Sequence, residues 1–158
     1  MIRAIRSYLS SLKASRLFGQ AGRLRDAGRK EEALSIARQS LTVLRAPWVV
    51  RRRPAEGSVL LCTTMLVEQI ASELNQNGAE EDDLADALAY LKSLPSGSEL
   101  EIFGSKGWIP YLESRLNMKG QTVLIRLNHT ITTCRVYPLP RIERCVGWSV
   151  TITGDAQQ

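Results

Sequence analysis

His129 is the only histidine in the 158-residue chain, so any nucleophile–histidine pair must use it. Cys134 lies five positions away and, on a regular strand, faces the opposite side. Cys145 is the partner that a fold can bring close, although a turn histidine beside an unrelated strand cysteine is the simpler reading. The three cysteines, Cys62, Cys134 and Cys145, show no ligand spacing with that histidine, which disfavours zinc. Carboxylates crowd between Glu80 and Asp86, but without the alternating oxygen ligands, central glycine and closing glutamate of a calcium loop. They read as the solvated start of a helix, where the dipole favours acids. No catalytic residue, metal or cofactor is therefore expected, and the chain is expected not to be an enzyme.

The remaining chemistry is that of binding anions. Gly104-Ser105-Lys106-Gly107 stands between an expected strand and a helix start, where backbone N–H groups attract negative charge. The spacing is not that of a P-loop. It resembles the GXXG loop of KH nucleic-acid-binding domains, with Tyr111 and Leu112 about one position out of that family's register. Arg51, Arg52 and Arg53 follow Trp48 closely, a combination suited to contacting an anionic surface and stacking on it. The net charge is +5 and the pI about 9.4, which favours acidic partners. Trp48, Arg51, Arg52, Arg53, Arg16 and Arg23 are the expected partner-binding residues. Gly104, Ser105, Lys106 and Gly107 are their counterparts in the alternative, a nucleic-acid-binding protein.

These residues must be positioned by a chain of ordinary globular composition, 44% hydrophobic and 23% charged. Ile2, Ile5, Leu9 and Leu12 recur at helical spacing and Leu17, Ala21 and Leu24 continue on a shifted face, as one long amphipathic helix or two short ones, up to Gly28. Residues 1 to 25 contain six basic residues and no acid, a transit-peptide-like composition. Because the pattern runs unbroken into the next unit, it reads as a folded basic helix whose apolar stripe serves packing. A membrane partner is therefore not expected. A second helix is expected over 29–44, a basic connection over 47–57, and a third helix over 58–76 with Ser58 as N-cap. The third is apolar around most of its circumference, the mark of a central helix. Its longest apolar run, Val59 to Val67, is too short and too interrupted to cross a bilayer. A fourth, acidic helix is expected over 81–94, ended by Pro95.

Beyond residue 95 the pattern changes. A short strand is expected at 99–103 and a helix from Pro110 to Asn117. Three strands follow, at 122–127, 130–137 and 145–153, with Asn128-His129 turning the first hairpin. The expected class is α+β: helical hairpins over 1–95 packed with a small α/β region over 96–158 that carries a three-stranded antiparallel sheet, the two forming separate regions or one continuous domain.

Residues 14–47 resemble a tetratricopeptide repeat. Leu17, Ala21, Leu24, Gly28, Glu32-Ala33-Leu34 and Ser40-Leu41 follow that family's order of large, small, large, turn glycine and small residues. Gln20 departs from it, and the closing proline falls late, at Pro47. Val67, Ala71, Leu74 and Gly78 suggest a more degenerate second copy. The resemblance implies a module that holds a protein surface on its helices. With three scattered cysteines pointing to a reducing compartment, the expectation is a cytoplasmic, non-catalytic protein that binds one partner with an acidic surface. An immunity protein or antitoxin occluding a toxin is one concrete form.

Overall fold

The computed structural model describes residues 2–95, 107–117, 125–129 and 148–152. Among the described residues five α-helices follow in order: α1 (Ile2–Asp26), α2 (Lys30–Leu44), α3 (Pro54–Glu73), α4 (Glu81–Ser93) and α5 (Ile109–Asn117). They pack as helix pairs, α1 with α2 and α3 with α4, with α1 also lying on α3.

Both hairpin turns close by the same device. Gly28 sits at φ +79° past the end of α1, and the Arg29 N–H reaches back 2.9 Å to the Leu24 carbonyl. Asn75, at φ 52°, plays the same part after α3, with the Gln76 N–H 2.8 Å from the Ala71 carbonyl. A left-handed residue followed by such a bond is the Schellman stop, which glycine adopts most easily and asparagine next. Acids lead two helices as expected: Glu31 and Glu32 in α2, and Glu81, Asp82 and Asp83 in α4. α3 begins at Pro54, four residues ahead of the expected start. Proline suits the first turn because it has no N–H to leave unpaired. Ser58 is not a cap; its hydroxyl donates back to the Pro54 carbonyl at 2.8 Å.

Every residue of α3 from Glu56 to Ala71 is buried. One side of it meets α1 and α2, where Leu34, Leu41, Leu44, Leu60, Val67 and Ile70 form the first core. The other meets α4 and α5, where Leu61, Met65, Leu84, Leu91, Trp108 and Leu112 form the second. Trp108 and Tyr111 meet edge to face, ring centres 5.1 Å apart.

This arrangement corrects the expected class. The packed body is all-α, not α+β, because helices already cover the circumference of the central helix and a sheet is not needed to seal it. Two short strands, β1 (Ile125–His129) and β2 (Trp148–Ile152), pair antiparallel as a two-stranded ribbon, Ile125 opposite Ile152 and His129 opposite Trp148. His129 is thus a strand residue, not a turn residue. The expected strands at 99–103 and 130–137 lie outside the described residues, as do Cys134 and Cys145. Cys62 is a buried free thiol of α3.

Polar groups are sewn into the cores. The Ser40 hydroxyl donates to the Ala14 carbonyl at 2.9 Å and lies 3.3 Å from Thr63 Oγ1, linking α2 to α1 and α3. Buried Glu68 accepts from the Tyr111 hydroxyl, from Arg115 Nε at 2.9 Å and from the Ala79 N–H at 2.6 Å. It thereby ties α3 to α5 and to the turn before α4. Burial, then the neighbouring Glu68 charge, pushes the Tyr111 phenol far above its ordinary pKa.

Candidate functional site

α1 turns inward a seam of small residues. Ser7, Ser11, Ala14 and Ala21 are its buried positions. They recur three, four or seven apart, on one helical face, and their short side chains let the neighbouring helices come close. The large apolar residues of the first turns consequently point out: Ile2 is 69%, Ile5 52%, Tyr8 43% and Leu9 57% exposed. The apolar stripe at Ile2, Ile5 and Leu9 is therefore not the packing surface expected of it.

The connection between α2 and α3 is held against the same turns. Arg3 Nη2 donates to the Pro47 carbonyl at 3.2 Å, and Trp48 Nε1 to Ser10 Oγ at 3.1 Å. The Val50 N–H donates to Ser7 Oγ at 3.2 Å, while Ser7 donates in turn to buried Glu56 at 2.5 Å. Trp48 stays 40% exposed. With Ile2, Arg3, Arg6 and Pro47 it lines a shallow hollow of about 440 Å³.

The expected arginines separate into two groups. Arg51 turns inward, its side chain 17% exposed, to bond Asp83 and to pair with Asp86 at 3.0 Å. Asp83 is fully buried and is held from the other side by Arg45, which also reaches Glu80 at 2.8 Å. The bond to Asp83 is the main reason the Arg45 guanidinium titrates above its ordinary value. This network fastens the α2–α3 connection to the start of α4, so Arg51 is occupied by the fold itself. Arg52 is 72% exposed and touches Asp86 only at 3.6 Å. Arg16, Arg23 and Arg53 are exposed. Among the described residues none of these three forms an ion pair.

Trp48 therefore sits beside Ile2 and Arg6, whereas Arg23 lies about 20 Å farther along the α1 axis from Ser10. Gly104, Ser105 and Lys106 lie outside the described residues; Gly107 is half-buried just ahead of α5. The acids of 80–86 act as a helix start and, through Asp83 and Asp86, as the arginines' partners. No group of three or more His, Cys, Asp or Glu among the described residues is arranged to hold a metal ion. Sequence reasoning missed Ile2, Ile5 and Leu9 as surface residues. The available signal was the rival stripe of Ser7, Ser11, Ala14 and Ala21.

The fold places the chain among all-α proteins built from packed helix pairs, and no helix among its described residues is long and apolar enough to cross a membrane. No family model matches it, and neither the curated proteins nor the solved structures searched contain a match.

Proposed function

We propose that the chain is a non-catalytic binding protein whose tetratricopeptide-like helical hairpins present a basic outer face to one protein partner with an acidic surface. The observation that carries this reading is the set of exposed arginines at Arg16, Arg23 and Arg53, which form no ion pair with a described residue. Charge of one sign on an exposed face steers association with its opposite and selects against like-charged partners. Arg52, next to Arg53 in the α2–α3 connection, is exposed as well.

The test is an affinity capture from lysate of the native host, with and without nuclease, using the wild-type chain and an Arg16→Glu/Arg23→Glu variant. One protein recovered in stoichiometric amount, resistant to nuclease and lost with the variant, is the expected result. Its identity then decides between a toxin, as for an immunity protein or antitoxin, and a scaffold. Recovery that collapses with nuclease replaces this reading with nucleic-acid binding through the Gly104–Gly107 loop and the arginines.

A further inference from the structure

We infer that the first three turns of α1, together with Trp48, dock on an anionic phospholipid surface. With successive residues about 100° apart, Ile2, Ile5, Leu9 and Leu12 fall within an arc of about 80°. That arc lies opposite the buried seam of Ser7, Ser11, Ala14 and Ala21. The apolar stripe is thus presented outward by a helix already anchored on its other side, and docking requires no part of the core to open.

Three observations select the occupant. First, the flank of the stripe is basic: Arg6 and Lys13 are exposed within about 40° of its edge, and no acid occurs before Asp26. An apolar face bordered by Lys and Arg is the arrangement that lies in the plane of a bilayer interface, with long basic side chains reaching back to the phosphates. Second, Trp48 is fixed beside this flank by its bond to Ser10 and remains 40% exposed. An indole at that level suits the headgroup boundary, where its ring is half-wet. Third, the same charges disfavour a second copy of the chain as occupant, because pairing two such faces would bring Arg6 and Lys13 against their equivalents without a counter-charge. The docking surface borders Arg16, one of the arginines on which the protein-partner reading rests, but not Arg23, about 20 Å farther along the α1 axis from Ser10, or Arg53 of the α2–α3 connection.

The experiment is flotation of the full chain with vesicles of phosphatidylcholine alone, or with about 30% phosphatidylglycerol, at roughly 0.1 M and 0.5 M salt. The wild-type chain is expected to float with the anionic vesicles at low salt, to lose most of that binding at high salt and to ignore the neutral ones. Ile5→Asp with Leu9→Asp should weaken binding on the order of a hundredfold. Both side chains are exposed, so helicity and unfolding midpoint should stay unchanged. Arg6→Gln and Lys13→Gln should each weaken binding roughly fivefold, an independent test that leaves the apolar stripe intact. Failure of the wild-type chain to float, equal flotation with neutral vesicles, or undiminished flotation of the Asp variant overturns the inference. Lysate capture lost in the Ile5→Asp/Leu9→Asp variant while vesicles stay unbound overturns it too, and assigns the stripe to a protein instead. Capture that depends on Arg16 and Arg23 alone, alongside vesicle binding that depends on Ile5 and Leu9, supports both readings separately.

Discussion

Arg51 and Arg53 are two positions apart, and replacing each by alanine separates a structural arginine from a surface one. Arg51 is 17% exposed and bonds a carboxylate, Asp83, that has no exposure at all. Removing one partner of a buried ion pair costs about 3–5 kcal/mol when the remaining charge is stranded. Here Asp83 keeps Arg45, whose Nε still lies 3.3 Å from Oδ1. The cost should therefore fall below that range, at about 2–3 kcal/mol, with part of it from the buried arginine stem. For a chain of this length that corresponds to a midpoint lowered by roughly 5–10 °C. Arg53→Ala, at an exposed position with no ion pair to a described residue, should stay within about 0.5 kcal/mol of wild type. Urea and thermal unfolding followed by far-ultraviolet circular dichroism measure both. Because Asp83 is fully buried, the Arg51 deficit should persist at about 0.5 M salt. Equal stability of the two variants, or a deficit that salt erases, refutes the assignment of Arg51 to the interior network.

Two further outcomes follow from the packing. A methyl added at Gly57 would run into the Tyr90 ring, which packs directly on that position. Gly57→Ala should therefore destabilise by about 1–3 kcal/mol despite its better helix propensity, and a stabilised Gly57→Ala in urea unfolding would show that α3 and α4 are not in contact there. Glu73 responds to pH. Burial alone would raise its pKa, but Lys30 at 3.0 Å and Arg25 at 3.3 Å together hold it below its ordinary value of 4.5. A carboxylate depressed on folding adds stability above its unfolded pKa and loses it as pH falls through the folded one. Urea midpoints measured from about pH 6 down to about pH 3 should fall more steeply for wild type than for Glu73→Gln.

Local signals sufficed for the helices of the first 95 residues. Gly28 ends α1 because the turn needs a positive φ, the acids from Glu80 onward open α4 because the dipole favours them there, and the all-round apolarity of α3 announced a helix covered on every side. The α3 start was misplaced because Ser58 has the right side chain for a cap, while Pro54 has the right backbone for a first turn, and the backbone decided. The α+β class failed for a different reason. Alternation along a short segment reports only that it can form a strand; whether a sheet joins the core depends on whether the helices have left a face uncovered, and α5 had already covered it.

The candidate site depended most on tertiary structure. α1 carries two stripes, Ile2–Ile5–Leu9 and Ser7–Ser11–Ala14–Ala21, and hydrophobicity alone favours burying the first. Close packing against α2 and α3 buries the second, since only small side chains let three backbones converge. Likewise Arg51, Arg52 and Arg53 are one chemical group in the sequence. Their separation into one interior and two exterior arginines comes from Asp83, 32 positions from Arg51, which is placed beside it by the return of α4 along α3. By itself the sequence determined where helices run and the sign of the surface charge, because both depend on neighbouring residues and composition. Which residues of α1 meet solvent, and which arginines are free to meet a partner, was decided only when distant segments closed on one another.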